Sequence, residues 1–171
     1  MRMDKTRCFG FILAFSLYGF AGDIDLNLTQ HEVEFTAYVE PQIALKHFEG
    51  RCTDCLFGTY NPDTRKGSAR LDLTKLHTGI GTRDEHMLQY LGTKENPLAF
   101  LKFSIDGNKF TGTLSVKGIE KPIAGMAKER PLQLEFVVNM HDFGIDPKLE
   151  AAGITLMRVK PLVRVLGEAK Y

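Results

Sequence analysis

The sequence predicts an all-β chain, a single antiparallel β-barrel of about eight strands with one or two short helices. Three observations predict it. Apolar and polar residues alternate in twos along run after run, the pattern of half-buried strands. Glycine, proline, asparagine and aspartate separate these runs at short intervals. Only residues 77–92 change to helical grammar.

The first segment stands apart from that pattern. Arg2, Lys5 and Arg7 precede an apolar stretch from Cys8 to Phe20 that ends in small residues at Gly19 and Ala21. This is the layout of a secretory signal peptide, residues 1–21, with cleavage after Ala21. The stretch is shorter than the roughly 18 to 20 residues a membrane-crossing helix needs. Cys8 opens the apolar run instead of closing it, which argues against a lipoprotein anchor. The expectation is one exported domain, residues 22–171, periplasmic or secreted, with no stable membrane span after cleavage. Losing three cations and Asp4 takes the formal charge from +1 for the whole chain to −1. No run of lysine and arginine appears along the chain, so no nucleic-acid partner is expected.

Within the domain, Ile24, Leu26 and Leu28 alternate with acids and Asn27. Val33, Phe35, Ala37 and Val39 follow, then Ala69, Leu71 and Leu73. Further runs are Ala99 to Ile105, Phe110 to Val116, and Leu132 to Met140. Glu40-Pro41, Asn61-Pro62-Asp63, Asp106-Gly107-Asn108 and Lys121-Pro122 read as breakers, and Asp106-Gly107 as a hairpin turn. Asn27-Leu28-Thr29 has the form of a glycosylation acceptor, a triplet frequent by chance. A meander of this size must close or protect its edges, and an eight-stranded barrel either fills with side chains or holds one small ligand. The inward positions include bulky Phe35, Phe103 and Phe136 beside small Ala37, Ala99 and Gly112.

The exported domain has two cysteines, Cys52 and Cys55, and export favours pairing them. An extended strand would hold their Cα atoms about 10 Å apart, beyond the roughly 7 Å a disulfide spans. Pairing therefore requires a turn at Thr53-Asp54. A structural disulfide is the first expectation, and a redox-active thiol pair the alternative. A zinc site using His47 lacks a fourth ligand at a recognisable spacing, so no metal is expected.

The segment "HTGIGTRDEHMLQYL" (77–91) is dense in polar groups. Thr82 to Glu85 fits a capping box, Asp84 and Glu85 suit the positive end of a helix, and Gly92 suits its stop. Met87, Leu88 and Leu91 supply the apolar stripe. Arg83 reads as a structural cation for a nearby carboxylate. His86 with Asp84 lacks a nucleophile motif, and the five histidines show no ligand spacing. No catalytic residue is assigned.

The ordered segments "HFEG" (47–50), "LDLTKLHTGIGTRDEHMLQYL" (71–91), "NPLAFLKFS" (96–104), "GTLSVKGIEKPI" (112–123) and "FGID" (143–146) resemble the YceI-like, polyisoprenoid-binding family over most of residues 24–168. The resemblance implies a lipocalin-like barrel with a long apolar tunnel, exported, and able to pair as a homodimer. It implies no enzymatic activity and no cofactor. Its ligand would be a long amphiphile such as an isoprenoid quinone, a polyprenyl lipid or a fatty-chain compound. Wall candidates assigned by pattern are Phe35, Leu45, Phe48, Met87, Leu101, Phe103, Leu114, Phe136 and Met140. Arg83 and His86 would lie near the ligand's polar end. Cys52 and Cys55 have no counterpart in the family pattern, and Gly92 to Pro97 lacks the aromatic cluster often found there. Two alternatives remain: a thiol-disulfide redox partner using Cys52 and Cys55, and a small hydrolase in which Arg83, Asp84, His86 or His141 meets a nucleophile.

Overall fold

A computed structural model of the chain describes residues 22–26, 30–41, 45–151 and 154–171. The leader and the Asn27-Leu28-Thr29 triplet lie outside the described residues. The strands are β1 (Ile24–Asp25), β2 (Gln30–Glu40), β3 (His47–Thr53), β4 (Leu56–Asn61), β5 (Lys66–Asp72), β6 (Leu98–Asp106), β7 (Lys109–Val116), β8 (Ile119–Glu129), β9 (Leu132–Asn139), β10 (Lys148–Ala151) and β11 (Ile154–Lys170). Helix α1 spans Gly81–Leu91, and short 3-10 helices occupy Leu73–Lys75 and Met140–Phe143. The described residues are mostly β, with one α-helix.

All strands belong to one antiparallel sheet in the order β1-β4-β5-β6-β7-β8-β9-β11-β2-β3, with β10 pairing on β11. The sheet curls so that alternate residues meet inside, as in a half-barrel. Eleven strands replace the expected eight, for three local reasons. Inward positions of β3 and β4 carry Gly50 and Gly58, so the apolar alternation fades there. β11 shifts register between Val159 and Val163, which breaks a count in twos. β8 runs through the expected breaker at Pro122, which sits opposite Thr113 on β7. The β8 ladder to β9 starts only at Gly125, so the proline lies where β8 has a single laddered neighbour and its missing N–H is tolerated.

The interior is built from phenylalanines set opposite glycines. Phe35 pairs with Gly50, Phe103 with Gly67 and Gly112, and Gly125 with both Phe110 and Phe136. Tyr60 stacks on Phe103 at 6.0 Å, and edge-on contacts continue from Phe103 to Phe110 (6.5 Å) and from Phe110 to Phe136 (5.6 Å). Offset and edge-on pairs of this kind contribute beyond the area they bury.

β1 and β3 end the sheet order, with no ladder between them. Among the described residues, contacts from β2 and β3 to β4 and its flanking segments bridge that seam. The Leu56 N–H donates to His31 Nε2 (3.1 Å), and Arg51 and His77 exchange backbone hydrogen bonds of 2.9 and 3.0 Å. Cys52 and Cys55 are joined as a disulfide across the β3–β4 connection, with Cα atoms 6.0 Å apart. Asp54 makes the required turn with φ 54°. Both cysteines are fully buried, which removes the access that a thiol-disulfide exchange partner needs. Replacing both by alanine is expected to lower stability by about 2 kcal/mol, the chain-entropy value for so short a loop. Urea titration of the double variant beside the parent measures it.

Candidate functional site

The inward side chains leave an apolar cavity of about 90 Å³. Leu56, Ala69 and Leu71 form one wall, and Ala99, Leu101, Phe103 and Leu114 continue it. Leu132, Leu134 and Phe136 of β9 face Val165, Gly167 and Ala169 of β11, while Leu26 and Val33 close the seam side. Glu168 is the ionisable residue on the boundary, and its carboxylate is held by the Gln133 amide and by Lys170 at 3.5 Å. A space lined this way stays dry. An apolar cavity of about 150 Å³ takes a benzene-sized guest, and ligand pockets usually run from about 300 to 1,000 Å³. A short void therefore stands where the family pattern implied a long tunnel, because the Phe103, Phe110 and Phe136 rings cross the interior.

Four of the wall residues expected from sequence, Leu101, Phe103, Leu114 and Phe136, line this cavity. The others lie outside it. Phe35 and Phe48 meet edge-on at 6.2 Å, and the Arg83 guanidinium lies over the Phe48 ring at 5.0 Å. Met87 and Met140 pack on the core from its margin. Leu45 is half-buried ahead of β3, and His86 is exposed on the helix. None of these seven reaches the cavity lining.

The start of α1 also differs from the expected capping box. The helix begins at Gly81, with Ile80 at the cap and no side-chain cap bond, so Thr82 lies inside the first turn. Asp84 does the fastening: its carboxylate accepts from the Thr78 N–H (2.7 Å) and the Thr78 hydroxyl (2.6 Å). Arg83 Nε donates to the same hydroxyl at 2.8 Å. Arg83 thus reaches Asp84 through Thr78 and stacks on Phe48, instead of pairing a carboxylate directly. At its other end α1 is tied by Tyr90, whose hydroxyl donates to the Lys148 carbonyl (2.6 Å). The helix bridges from the β3 side to β10 across one end of the barrel.

The hydrolase reading needs Arg83, Asp84, His86 or His141 to converge with a nucleophile. Arg83 and Asp84 are spent on Thr78, His86 faces solvent, and His141 sits in a 3-10 helix beside Asp146 at 3.3 Å. No serine, cysteine or histidine lines the cavity. Tyr60, stacked on Phe103, has a buried hydroxyl without a hydrogen-bond partner among the described residues. Burial, reinforced by the Glu129 charge, pushes its pKa up to about 12, so it stays neutral around physiological pH.

Sequence reasoning left out Val33, Leu56, Ala69, Leu71, Leu132 and Leu134 as walls, although most follow the alternation already read. Val165 and Ala169 belong to β11, a strand whose register shift hid them.

A family model described as YceI-like domain matches residues 25–166. No curated protein matches the chain. Among solved structures, a polyisoprenoid binding domain from Saccharophagus degradans is similar at 15% identity and TM-score 0.59, over 84% of this chain and 98% of that one. Burkholderia cenocepacia BcnA is similar at 14% identity and TM-score 0.59, over 81% and 94%.

Proposed function

The chain belongs to the YceI-like domain family, and from that premise we propose that it is an exported, non-enzymatic carrier holding one long apolar chain in its barrel. The observation that carries this reading is the cavity itself, walled by apolar side chains apart from Glu168 at its boundary. The similar fold of a solved polyisoprenoid binding domain supports it. The ligand class is an isoprenoid quinone, a polyprenyl lipid or a fatty-chain amphiphile, bound as cargo with no cofactor required.

Burying each methylene contributes about 0.8 kcal/mol. Ten of them give about 8 kcal/mol, micromolar affinity before association costs. Chains one carbon apart differ by only that increment, so the walls select a class of ligand more than a compound. The cavity must widen to accept such a chain. The seam between β1 and β3 is where widening breaks no ladder, since those strands end the sheet. Leu101, Phe103, Leu114 and Phe136 then contact the chain. Arg83, His86, Met87 and Met140 lie toward the α1 end, where α1 acts as a lid and the polar head of the cargo is placed.

Purified protein is expected to release a stoichiometric apolar compound on organic extraction, seen as a mass difference under native mass spectrometry. Stripped protein is expected to regain that mass with a long-chain quinone or a polyprenyl phosphate. Protein that is empty as isolated and ignores both ligands would defeat the reading.

A further inference from the structure

The outer surface of the barrel carries its charge unevenly. Facing outward on β2, β3, β9 and β11, acids and cations are interspersed: Arg51 stands opposite Glu34, Arg164 lies 2.8 Å from Glu135, Lys160 2.9 Å from Glu40 and Lys170 3.5 Å from Glu168. The opposite side differs. Residues paired directly across antiparallel strands share a face, so the pairs Phe57 with Arg70, Arg70 with Phe100, Ser68 with Lys102 and Lys66 with Ser104 set these side chains together outside β4 to β6. Lys66, Arg70 and Lys102 are exposed and make no ion pair among the described residues. Arg70 and Lys75 both sit over the Phe57 ring, at 5.0 and 5.6 Å. In their midst Phe100 is 49% exposed. The acids around this face are at its margins: Asp25 on β1 opposite Thr59, Asp54, whose carbonyl accepts from Lys75 at 2.5 Å, Asp72, engaged by Thr74, and Asp106, opposite Lys109.

We propose that the outer face of β4 to β6 docks the protein on an anionic lipid surface, Lys66, Arg70, Lys75 and Lys102 meeting the headgroups and Phe100 entering the boundary between headgroups and acyl chains. Unpaired cations around an exposed apolar ring are what such a surface attracts, through counter-charge and shallow apolar insertion together. On the far side acids and cations offset one another pair by pair, so the β4 to β6 face is the one with uncompensated positive charge to turn toward such a surface. The occupant is a lipid surface instead of a nucleic acid because a strand of bases needs successive stacking platforms, and here one exposed ring, Phe100, stands among the cations while Phe57 is half-buried beneath two of them. The inward residues of these strands, Ala69, Leu71, Ala99 and Leu101, line the cavity, so docking brings that wall nearest the lipid. The sequence shows no run of these cations because Lys66 and Arg70 are spaced along β5, Lys75 lies in the 3-10 helix after it and Lys102 comes from β6.

The test is co-sedimentation of the full exported domain with phosphatidylglycerol-containing vesicles and with pure phosphatidylcholine vesicles, at low and high salt. Binding to the anionic vesicles, reversed by salt, is expected. Each cation near such a surface is worth about a fivefold change in partitioning, so R70Q with K102Q should weaken it by roughly 30-fold. F100S should weaken it further, and K160Q on the far side should leave it within about twofold. Circular dichroism verifies that each variant is folded. Equal binding to both vesicle types, or a double variant that binds like the parent, would overturn the proposal. So would tighter binding of a single-stranded oligonucleotide than of the anionic vesicles. Extraction of cargo reads the interior and vesicle binding the exterior, so either reading can fail while the other stands.

Discussion

Replacing Phe103 by alanine is expected to lower stability by about 3 to 5 kcal/mol and at the same time enlarge the cavity. The ring is nearly fully buried, stacks on Tyr60 and meets Phe110 edge-on. Its direct partners on both neighbouring strands are glycines, Gly67 and Gly112. Neither has a side chain to move into the vacated space, so collapse is limited and the cavity term of the loss is near its full size. Phe103 also lines the existing void, and removing it joins the two spaces. Stability and capacity should therefore move in opposite directions. Urea titration reads the first, and native mass spectrometry after incubation with a long-chain quinone reads the second. A variant that loses stability without gaining any uptake would mean that the void beside Phe103 is not where cargo resides. One that loses less than about 1 kcal/mol would mean that the ring is not packed as described.

The fold was legible wherever the core alternation is made of side chains. β2, β6, β7 and β9 were readable because Val33, Ala99, Phe110 and Leu132 open runs with an apolar residue at every second place. It was illegible where the same inward face is made by an absent side chain: Gly50 and Gly58 look like breakers along the sequence, yet Gly50 seats Phe35 from the next strand. That complementarity is non-local, and a single strand does not display it. The paired cysteines were legible because bond geometry demanded a turn and Asp54 makes one. The N-terminus of α1 was misplaced by one turn of reasoning: Thr82 and Glu85 satisfy a local motif, but Asp84 finds a better acceptor position against Thr78, six residues back. The basic outer face was invisible for a further reason. Lys66 and Arg70 share β5, and Lys102 is set between them only by strand pairing, opposite Ser68.

Two glycines on the same barrel are expected to respond oppositely to a single methyl group, and the larger effect is at Gly125. A Cβ there would lie 2.1 Å from the Glu135 carbonyl oxygen, 2.8 Å from Phe110 Cε1 and 2.9 Å from Phe136 Cβ. The first contact is backbone within the β8–β9 ladder, and the other two are rings and stems already fixed by one another, so no neighbour gives way cheaply. Gly125→Ala should cost about 3 kcal/mol, the upper part of the range for overpacking a core, and should open the β8–β9 ladder near its start. Gly167 occupies an inward position on β11 with nothing within 4 Å of its added Cβ, and it lines the cavity. Gly167→Ala removes backbone freedom from the unfolded chain and should stabilise by about 0.5 kcal/mol, while taking space from the ligand. Denaturation midpoints of the two variants, beside ligand uptake for Gly167→Ala, test the pair. If both alanines were tolerated alike, the phenylalanines would not owe their places to glycine, and the account of how this barrel fills and limits its own interior would fail.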